Sequence, residues 1–260
     1  MEQSKKDAWL KHMIEVTNLH KSFGEQHVLR GLNMSIKDQS VTCIMGGSGT
    51  GKSVFLKILI GLLQADQGSI VIDGQPIFQF DQAELKQFRR QVGFLFQDAA
   101  LFDDMNVFEN VSFPLYEHAD LPDDEIRERV RTKLADVGLK DIEHKLPSEL
   151  SGGMRKRVGL ARALILDPKI VLFDEPTTGL DPITTSNIGD LIRDTHKRYP
   201  VTFLIISHDL ALTYRVADQV IMFYQGEVVQ DGDAEDFKQS SHPFVRQFLE
   251  AQANLENAHR

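Results

Sequence analysis

The sequence predicts an α/β fold built on a parallel sheet, and three stretches carry that prediction. Val41–Met45 is a short apolar run with β-branched residues that ends abruptly in glycines, and Lys52–Leu63 then reads as a helix. Ile170–Phe173 and Val201–Ile206 are two more apolar runs of strand length. Between them Asp181-Pro182 opens a helix that Pro200 ends. Buried strands alternating with helices are the pattern of a parallel sheet.

The other elements follow in order. Residues 1–12 are mostly polar, carry the single tryptophan Trp9, and are expected to fray. Ile14, Val16 and Leu19 mark a first strand, and Leu32, Met34 and Ile36 alternate in a second. Ser69–Ile72, Asp73-Gly74 and Gln75–Phe78 form a hairpin pattern. Residues 98–160 read as helical. Leu121-Pro122-Asp123-Asp124-Glu125 is a helix start with acids at the positive dipole end. Ile126, Val130, Leu134 and Val137 recur on one face, and Gly138 closes that helix. The C-terminal stretch 236–260 carries Phe237, Phe244, Val245, Phe248 and Leu249. Its apolar face leaves two placements open, its own domain or a second subunit.

Composition excludes several classes. Apolar residues are 42% and charged residues 26% of 260, a globular balance rather than a disordered or fibrous one. Twenty-nine Lys and Arg against thirty-eight Asp and Glu give −9, which argues against bulk nucleic-acid binding. One cysteine, Cys43, allows no intrachain disulfide and is expected to be a small apolar residue in a buried strand. No apolar run approaches the roughly 20 residues that span a bilayer. No apolar segment follows Lys5 and Lys6, so a secretory signal is not expected. A membrane would be met through a partner.

Gly46-Gly47-Ser48-Gly49-Thr50-Gly51-Lys52-Ser53, followed by Val54, fits the pattern G-x-x-x-x-G-K-[ST] at every fixed position. The glycines let backbone N–H groups turn inward around phosphate oxygens, and the loop feeds a helix N-terminus. In that frame Lys52 contacts the β- and γ-phosphates and Ser53 ligates Mg²⁺. The predicted strand before the loop and helix after it make nucleotide binding the strong reading. Asp174 and Glu175 end the apolar strand Ile170–Phe173, at the carboxyl end where parallel sheets bind ligands. Asp174 is placed for a Mg²⁺-bound water, and Glu175 to orient or deprotonate an attacking water. His208 follows the next apolar run and could reach a γ-phosphate, although a lone histidine there is more often structural. Ser207-His208-Asp209 in tandem is no hydrolase triad, whose members meet in space.

Leu150-Ser151-Gly152-Gly153-Met154 closely resembles the signature loop of ABC-transporter ATPases. The other motifs then fall into that family's order. Phe23 matches the adenine-stacking aromatic, Gly46–Ser53 the phosphate loop and Gln97 the glutamine loop. Ser151, Gly152 and Gly153 match the signature, and Asp174 with Glu175 the acidic strand end. Gly179-Leu180-Asp181 resembles the loop after it, and His208 the switch histidine. The resemblance covers about residues 14–235. It implies a RecA-like P-loop core with an N-terminal antiparallel β subdomain and an inserted α-helical subdomain. Residues 13–97 and 161–235 would be core and β subdomain, 98–160 the helical signature subdomain, and 236–260 an extension. It also implies ATP and Mg²⁺ as ligands, with Gln97 joining Ser53 and Asp174 at the metal. Glu175, His208, Gln97 and Lys52 would be catalytic. Two copies would pair head-to-tail as a homodimer, each signature facing the other copy's ATP.

Two positions depart from the family. Phe23 stands where tyrosine is usual, and Met154 where glutamine is usual. A finer resemblance accounts for the second. The run Ser151–Ala163 (SGGMRKRVGLARA), together with Leu101–Val111 (LFDDMNVFENV) and Pro114-Leu115, looks like the ATPase of the Mla phospholipid-transport systems. That resemblance implies an inner-membrane permease, a periplasmic MCE-domain protein, a small STAS-domain protein and phospholipid cargo. It places the chain on the cytoplasmic face of the inner membrane. Rival readings are weaker. Ribosome-acting ABC ATPases usually carry two cassettes, DNA-repair relatives insert coiled coils or zinc modules, and a P-loop kinase has no use for the signature.

Two clusters carry further expectations. Phe94, Phe96, Phe102, Phe108 and Phe113 surround Gln97; an exposed aromatic groove there could receive a permease's coupling helix, but three or more of the five are expected in the core. Arg155, Lys156, Arg157 and Arg162 are expected to form a solvated helix face.

Overall fold

The structure, a computed structural model, describes residues 12–258. Its elements in chain order are β1 (His12–Phe23), β2 (Gln26–Lys37), β3 (Val41–Met45), α1 (Lys52–Leu59), β4 (Gln67–Ile72), β5 (Gln75–Pro76), α2 (Gln82–Arg89), β6 (Val92–Leu95), α3 (Val107–His118), α4 (Asp123–Asp136), α5 (Gly152–Leu164), β7 (Ile170–Asp174), α6 (Pro182–Arg198), β8 (Thr202–Ile206), α7 (Leu210–Val216), β9 (Gln219–Tyr224), β10 (Glu227–Gly232), α8 (Ala234–Lys238) and α9 (Pro243–Ala258). They divide into two compact units, one running to Leu85 and resuming at Ile206, the other Lys86–Ile205. Residues 1–11, with Trp9, and 259–260 lie outside the described residues.

The first unit holds an antiparallel sheet in the order β2-β1-β4-β5. Long β1 pairs with β2 from His12↔Lys37 to Phe23↔Gln26, which sets Phe23 at the hairpin end. Asp73 and Gly74 both take positive φ, 48° and 77°, as a two-residue hairpin turn requires. The predicted second arm is short, because Ile77–Gln79 curls into a 3₁₀ turn. A second set of strands runs β10-β9-β3, with β3 parallel to β9. The Asp218 carboxylate accepts the Val41 N–H at 2.8 Å and the Thr42 hydroxyl donates to Gln219 Oε1 at 3.1 Å, so the start of β3 is fixed by polar contacts as well as packing.

Helix α1 is shorter than the predicted Lys52–Leu63. Gly61 adopts φ 69°, its N–H bonds to Ile58 O and that of Leu62 to Lys57 O, so the chain caps itself before the last apolar residues. The C-terminal helix α9 packs on its own unit. Val245 is buried with Met45, Leu210, Val220, Met222 and Phe237, while Phe244 stacks on Tyr224 at 3.8 Å.

In the second unit β6 and β7 pair in parallel, Val92↔Ile170 through Leu95↔Phe173, and β8 follows β7. Helix α3 starts with a capping box between Asn106 and Glu109. Helix α4 buries Ile126, Val130 and Leu134, and Gly138 at φ 73° turns the chain out just beyond it, as the sequence predicts. The fully buried Asn110 donates to the carbonyls of Phe102, Met105 and Asn106 and accepts the Phe102 N–H, which fixes the loop leading into α3.

Candidate active site

The phosphate loop in the first unit is shaped by its glycines. Gly46, Gly49 and Gly51 take φ of 151°, 77° and 98°. A Cβ at Gly46 would lie 2.6 Å from the Phe223 carbonyl oxygen, and one at Gly51 would lie 2.5 Å from Leu29 Cδ2. Sterics and backbone therefore both require glycine at these two positions. The Thr50 hydroxyl donates to Gly47 O at 2.9 Å and braces the loop. The buried Lys52 ammonium donates to Gly46 O at 2.7 Å and Gly47 O at 2.9 Å, so its charge is held inside the loop. Ser53 is exposed on the first turn of α1, with Val54 beside it.

A cavity of about 280 Å³ is lined by Phe23, Gln26, Val28, Gly49, Thr50, Gly51, Lys52, Ser53 and Val54. Phe23 is 47% exposed, and the Lys21 ammonium stands 5.4 Å from its ring centre. A half-exposed aromatic ring at one end and a cradle of backbone amides at the other fit a nucleoside polyphosphate. Sequence reasoning does not single out Gln26 and Val28; they come from the hairpin partner strand, whose register no motif reveals.

His208 also belongs to the first unit and is exposed. Its neighbours hold the backbone in place. Asp209 caps α7 by accepting the Leu212 N–H at 3.0 Å, and the Ser207 hydroxyl accepts the Asp209 N–H at 3.0 Å. The Gln252 amide of α9 donates to the His208 carbonyl at 3.4 Å. Cys43 is fully buried in β3, and burial pushes its thiol up to about 12.

Gln97, Ser151–Gly153, Asp174, Glu175 and Asp181 lie in the second unit. Glu175 takes φ 50°, a strained conformation for a residue with a Cβ that costs about 1–3 kcal/mol. The Thr178 hydroxyl donates to its Oε2 at 3.3 Å, and the Thr178 N–H to its carbonyl at 3.3 Å. Asp181 caps α6. The Thr184 hydroxyl at 2.5 Å and the N–H groups of Thr184 and Ile183 hold its carboxyl below the usual carboxylate range. Ser151 caps α5 by accepting the Met154 N–H at 3.2 Å. A Cβ at Gly153 would meet Thr184 Cγ2 at 2.8 Å, so this glycine allows α5 and α6 to approach.

The basic cluster on α5 departs in part from the expected solvated face: Arg155 is exposed, Arg157 and Arg162 are half-buried and Lys156 is buried. Lys156 is only 5% exposed and donates to the Gln97 carbonyl. Arg155 donates to Leu150 O, Arg157 to Val137 O, and Arg162 to Ala99 O and Ala100 O. These cations reach carbonyls that the loops around α5 leave unpaired. Burial holds the Lys156 ammonium below its ordinary range, opposed by the carboxylates of Asp98, Glu175 and Asp174.

The five phenylalanines depart from expectation as well. None is fully buried: Phe96, Phe102 and Phe113 are exposed, Phe94 and Phe108 half-buried. For Phe94 and Phe96 the reason is which face of β6 the distant helix α5 covers. Gly93 and Leu95 face α5, so Phe94 and Phe96 point the other way, stacked at 4.1 Å. With Phe102, Phe113, Pro114 and Arg162 they line a groove of about 260 Å³.

Among the described residues no three His, Cys, Asp or Glu side chains form a metal cluster. Mg²⁺ that arrives on nucleotide phosphates needs only one or two protein oxygens, and the exposed Ser53 hydroxyl beside the phosphate loop has the chemistry to be one. The phosphate loop on a parallel strand, the acidic strand end and the capped signature helix define a P-loop ATPase with an inserted helical lobe. Its residues 29–178 match the ABC transporter family, and the chain belongs to that family.

Two relatives and two solved structures place it further. The chain is 48% identical over 236 residues to the probable ribonucleotide transport ATP-binding protein mkl of Mycobacterium bovis, covering 91% of this chain and 66% of that one. It is 41% identical over 243 residues to the intermembrane phospholipid transport system ATP-binding protein MlaF of Haemophilus influenzae, covering 94% of this chain and 92% of that one. The structure of cbiO1 from Clostridium perfringens, part of the ABC transporter complex cbiONQ, superposes with a TM-score of 0.82. It is 33% identical and covers 94% of this chain and 95% of its own. A dimeric post-hydrolysis state of the ATP-binding cassette MJ0796 with ADP and Pi superposes with a TM-score of 0.77, at 31% identity, covering 85% and 99%. The fold is thus the α/β RecA-like ABC core with an N-terminal β subdomain and an inserted helical lobe, the fold of ATP-hydrolysing ABC cassettes, one of which, MJ0796, is solved as a dimer.

Proposed function

We propose that the chain is the ATPase of an inner-membrane transporter that moves phospholipid between membranes. Lys52 and the loop amides bind the β- and γ-phosphates, Phe23 stacks on adenine, and Ser53, Gln97 and Asp174 hold Mg²⁺. Glu175 orients and deprotonates the attacking water, and His208 contacts the γ-phosphate. Ser151, Gly152, Gly153 and Asp181 of one copy serve the nucleotide of the other. The N-terminus of α5 suits an anion, because its first N–H groups follow a serine cap and belong to two glycines.

The observation that carries the phospholipid reading is the near end-to-end match to MlaF, together with the Met154 signature and the run after it. The match to mkl is higher in identity but leaves a third of that protein unmatched. Its name supports a second reading, an ATPase of the same build serving a nucleotide transporter. The exposed aromatic groove around Phe96 and Phe102 supports docking on a membrane partner, since rings left unburied on a surface mark a contact site. Among the described residues no helix is long and apolar enough to cross a membrane, so the proposed anchor is a permease.

The test is to tag the Glu175→Gln variant in its native cells, purify from detergent-solubilised membranes and identify what copurifies by mass spectrometry. A permease with MCE-domain and STAS-domain proteins and bound phospholipid supports the reading. A permease with a soluble nucleotide-binding partner and no lipid supports the second. Recovery without any membrane protein contradicts both.

A further inference from the structure

The segment after β6 is held by one helix. Ala99 and Ala100 follow Gln97 and Asp98, and both alanines take positive φ, 60° and 45°. Residues with a Cβ stay in that region only when neighbours hold them there. The Ala99 N–H bonds to Phe96 O at 2.9 Å within the loop, and the side chains that hold the loop carbonyls are on α5. Lys156 donates to the Gln97 carbonyl. Arg162 donates to Ala99 O at 2.6 Å and Ala100 O at 2.9 Å. Between them Gly159 receives the loop: a Cβ there would stand 3.2 Å from Ala99 Cβ and 2.7 Å from Leu95 Cδ1. Three loop carbonyls are therefore taken by two cations of the helix that carries Ser151, Gly152 and Gly153 at its N-terminus. Burying an ammonium is costly unless its partners compensate. Asp98, Asp174 and Glu175 are the carboxylates that act on Lys156.

We propose that Lys156 is a positioning residue for ATP hydrolysis. It ties the Gln97 loop to the signature helix so that the two move as one piece, and it acts through Gln97 without touching nucleotide. Arg162 is the second tie. The proposal rests on the metal role given to Gln97 above.

The test compares the full-length chain with Lys156→Met, Lys156→Gln and Gln97→Ala. Steady-state hydrolysis is titrated with ATP and with Mg²⁺, and ATP binding in EDTA and Tm are measured alongside. The expected result for Lys156→Met is a kcat lower by tenfold or more and a half-saturating Mg²⁺ concentration raised several-fold, with metal-free ATP binding within twofold. Lys156→Gln keeps an N–H donor, one bond shorter in reach and uncharged, and is expected to recover part of the loss. Normal kcat and Mg²⁺ dependence in Lys156→Met, with Gln97→Ala impaired, overturns the proposal alone. A Gln97→Ala variant indistinguishable from the native chain overturns the Gln97 assignment and the proposal with it. Equal losses in both lysine variants, with lowered Tm and weakened ATP binding, make Lys156 merely structural and also overturn it. Should Lys156→Met not fold, Lys156→Ala carries the test, and native kcat and Mg²⁺ dependence in that variant overturn the proposal.

Discussion

In the phosphate loop the left-handed positions are Gly46, Gly49 and Gly51, and Lys52 closes the loop on its own carbonyls. In the loop after β6 the left-handed positions are Ala99 and Ala100, and the cations that satisfy the carbonyls come from a helix some sixty residues further on. The first geometry is encoded locally. Glycine removes the strain and a neighbour supplies the charge. The second is imposed by tertiary contact, and the strain stays in the loop. A loop of the first kind carries its own means of reaching its shape, whereas one of the second kind follows the element that holds it.

The largest effect expected from breaking the local device is that of Lys52→Ala. It removes a charge directed at phosphate, and ATP affinity should fall on the order of 10²-fold, given charge-assisted bonds worth roughly 1.5–3 kcal/mol each. Equilibrium binding of ATP measures this, and native affinity would undo the site assignment. Gly51→Ala attacks the same loop through its backbone. A methyl group at φ 98° and 2.5 Å from Leu29 should destabilise the chain by about 2–3 kcal/mol, read from urea unfolding.

The second loop should respond with the opposite sign. Ala100 is exposed, so Ala100→Gly releases left-handed strain without losing a buried methyl and should stabilise by about 0.5–1 kcal/mol. Destabilisation would show that the alanine conformation is not strained.

The smallest effect sharpens the local account of β3. Burial raises the Cys43 thiol to about 12, above its usual 9.0. Its contribution to stability is fully present below the unfolded value and is lost as pH rises from there toward the folded one. At pH 8 a thiol reagent should label Cys43 only as the chain unfolds, and rapid labelling of the native chain would contradict the buried placement.

What is legible in the sequence follows the same division. The strand before Gly46, the hairpin turn at Asp73-Gly74 (though not the full length of its second arm), the cap at Asp181 and the helix ending at Gly138 each rest on residues next to one another, and each is found where it is read. The end of α1 is hidden because Gly61 sits inside an apolar run, where its turn signal is masked by the leucines around it. The five phenylalanines and the basic residues of α5 depart from expectation because their surroundings come from distant segments. A hint is present. Lys156, Gly159, Arg162 and Ala163 fall on one flank of a helix, and a glycine between two cations marks a place where another backbone comes close. No motif marks Gln26 or Val28, since only the register of β1 with β2 brings them to the cavity.

The central claim is that two copies of this chain close on ATP and that Glu175 then drives hydrolysis. Glu175→Gln mixed with Mg²⁺-ATP, sized by light scattering and assayed for phosphate release, tests it most directly. The expected result is an ATP-dependent doubling of mass with phosphate release lower by about 10²–10⁴-fold, the usual worth of a positioned base. A monomer that binds ATP and releases phosphate at the native rate would contradict it.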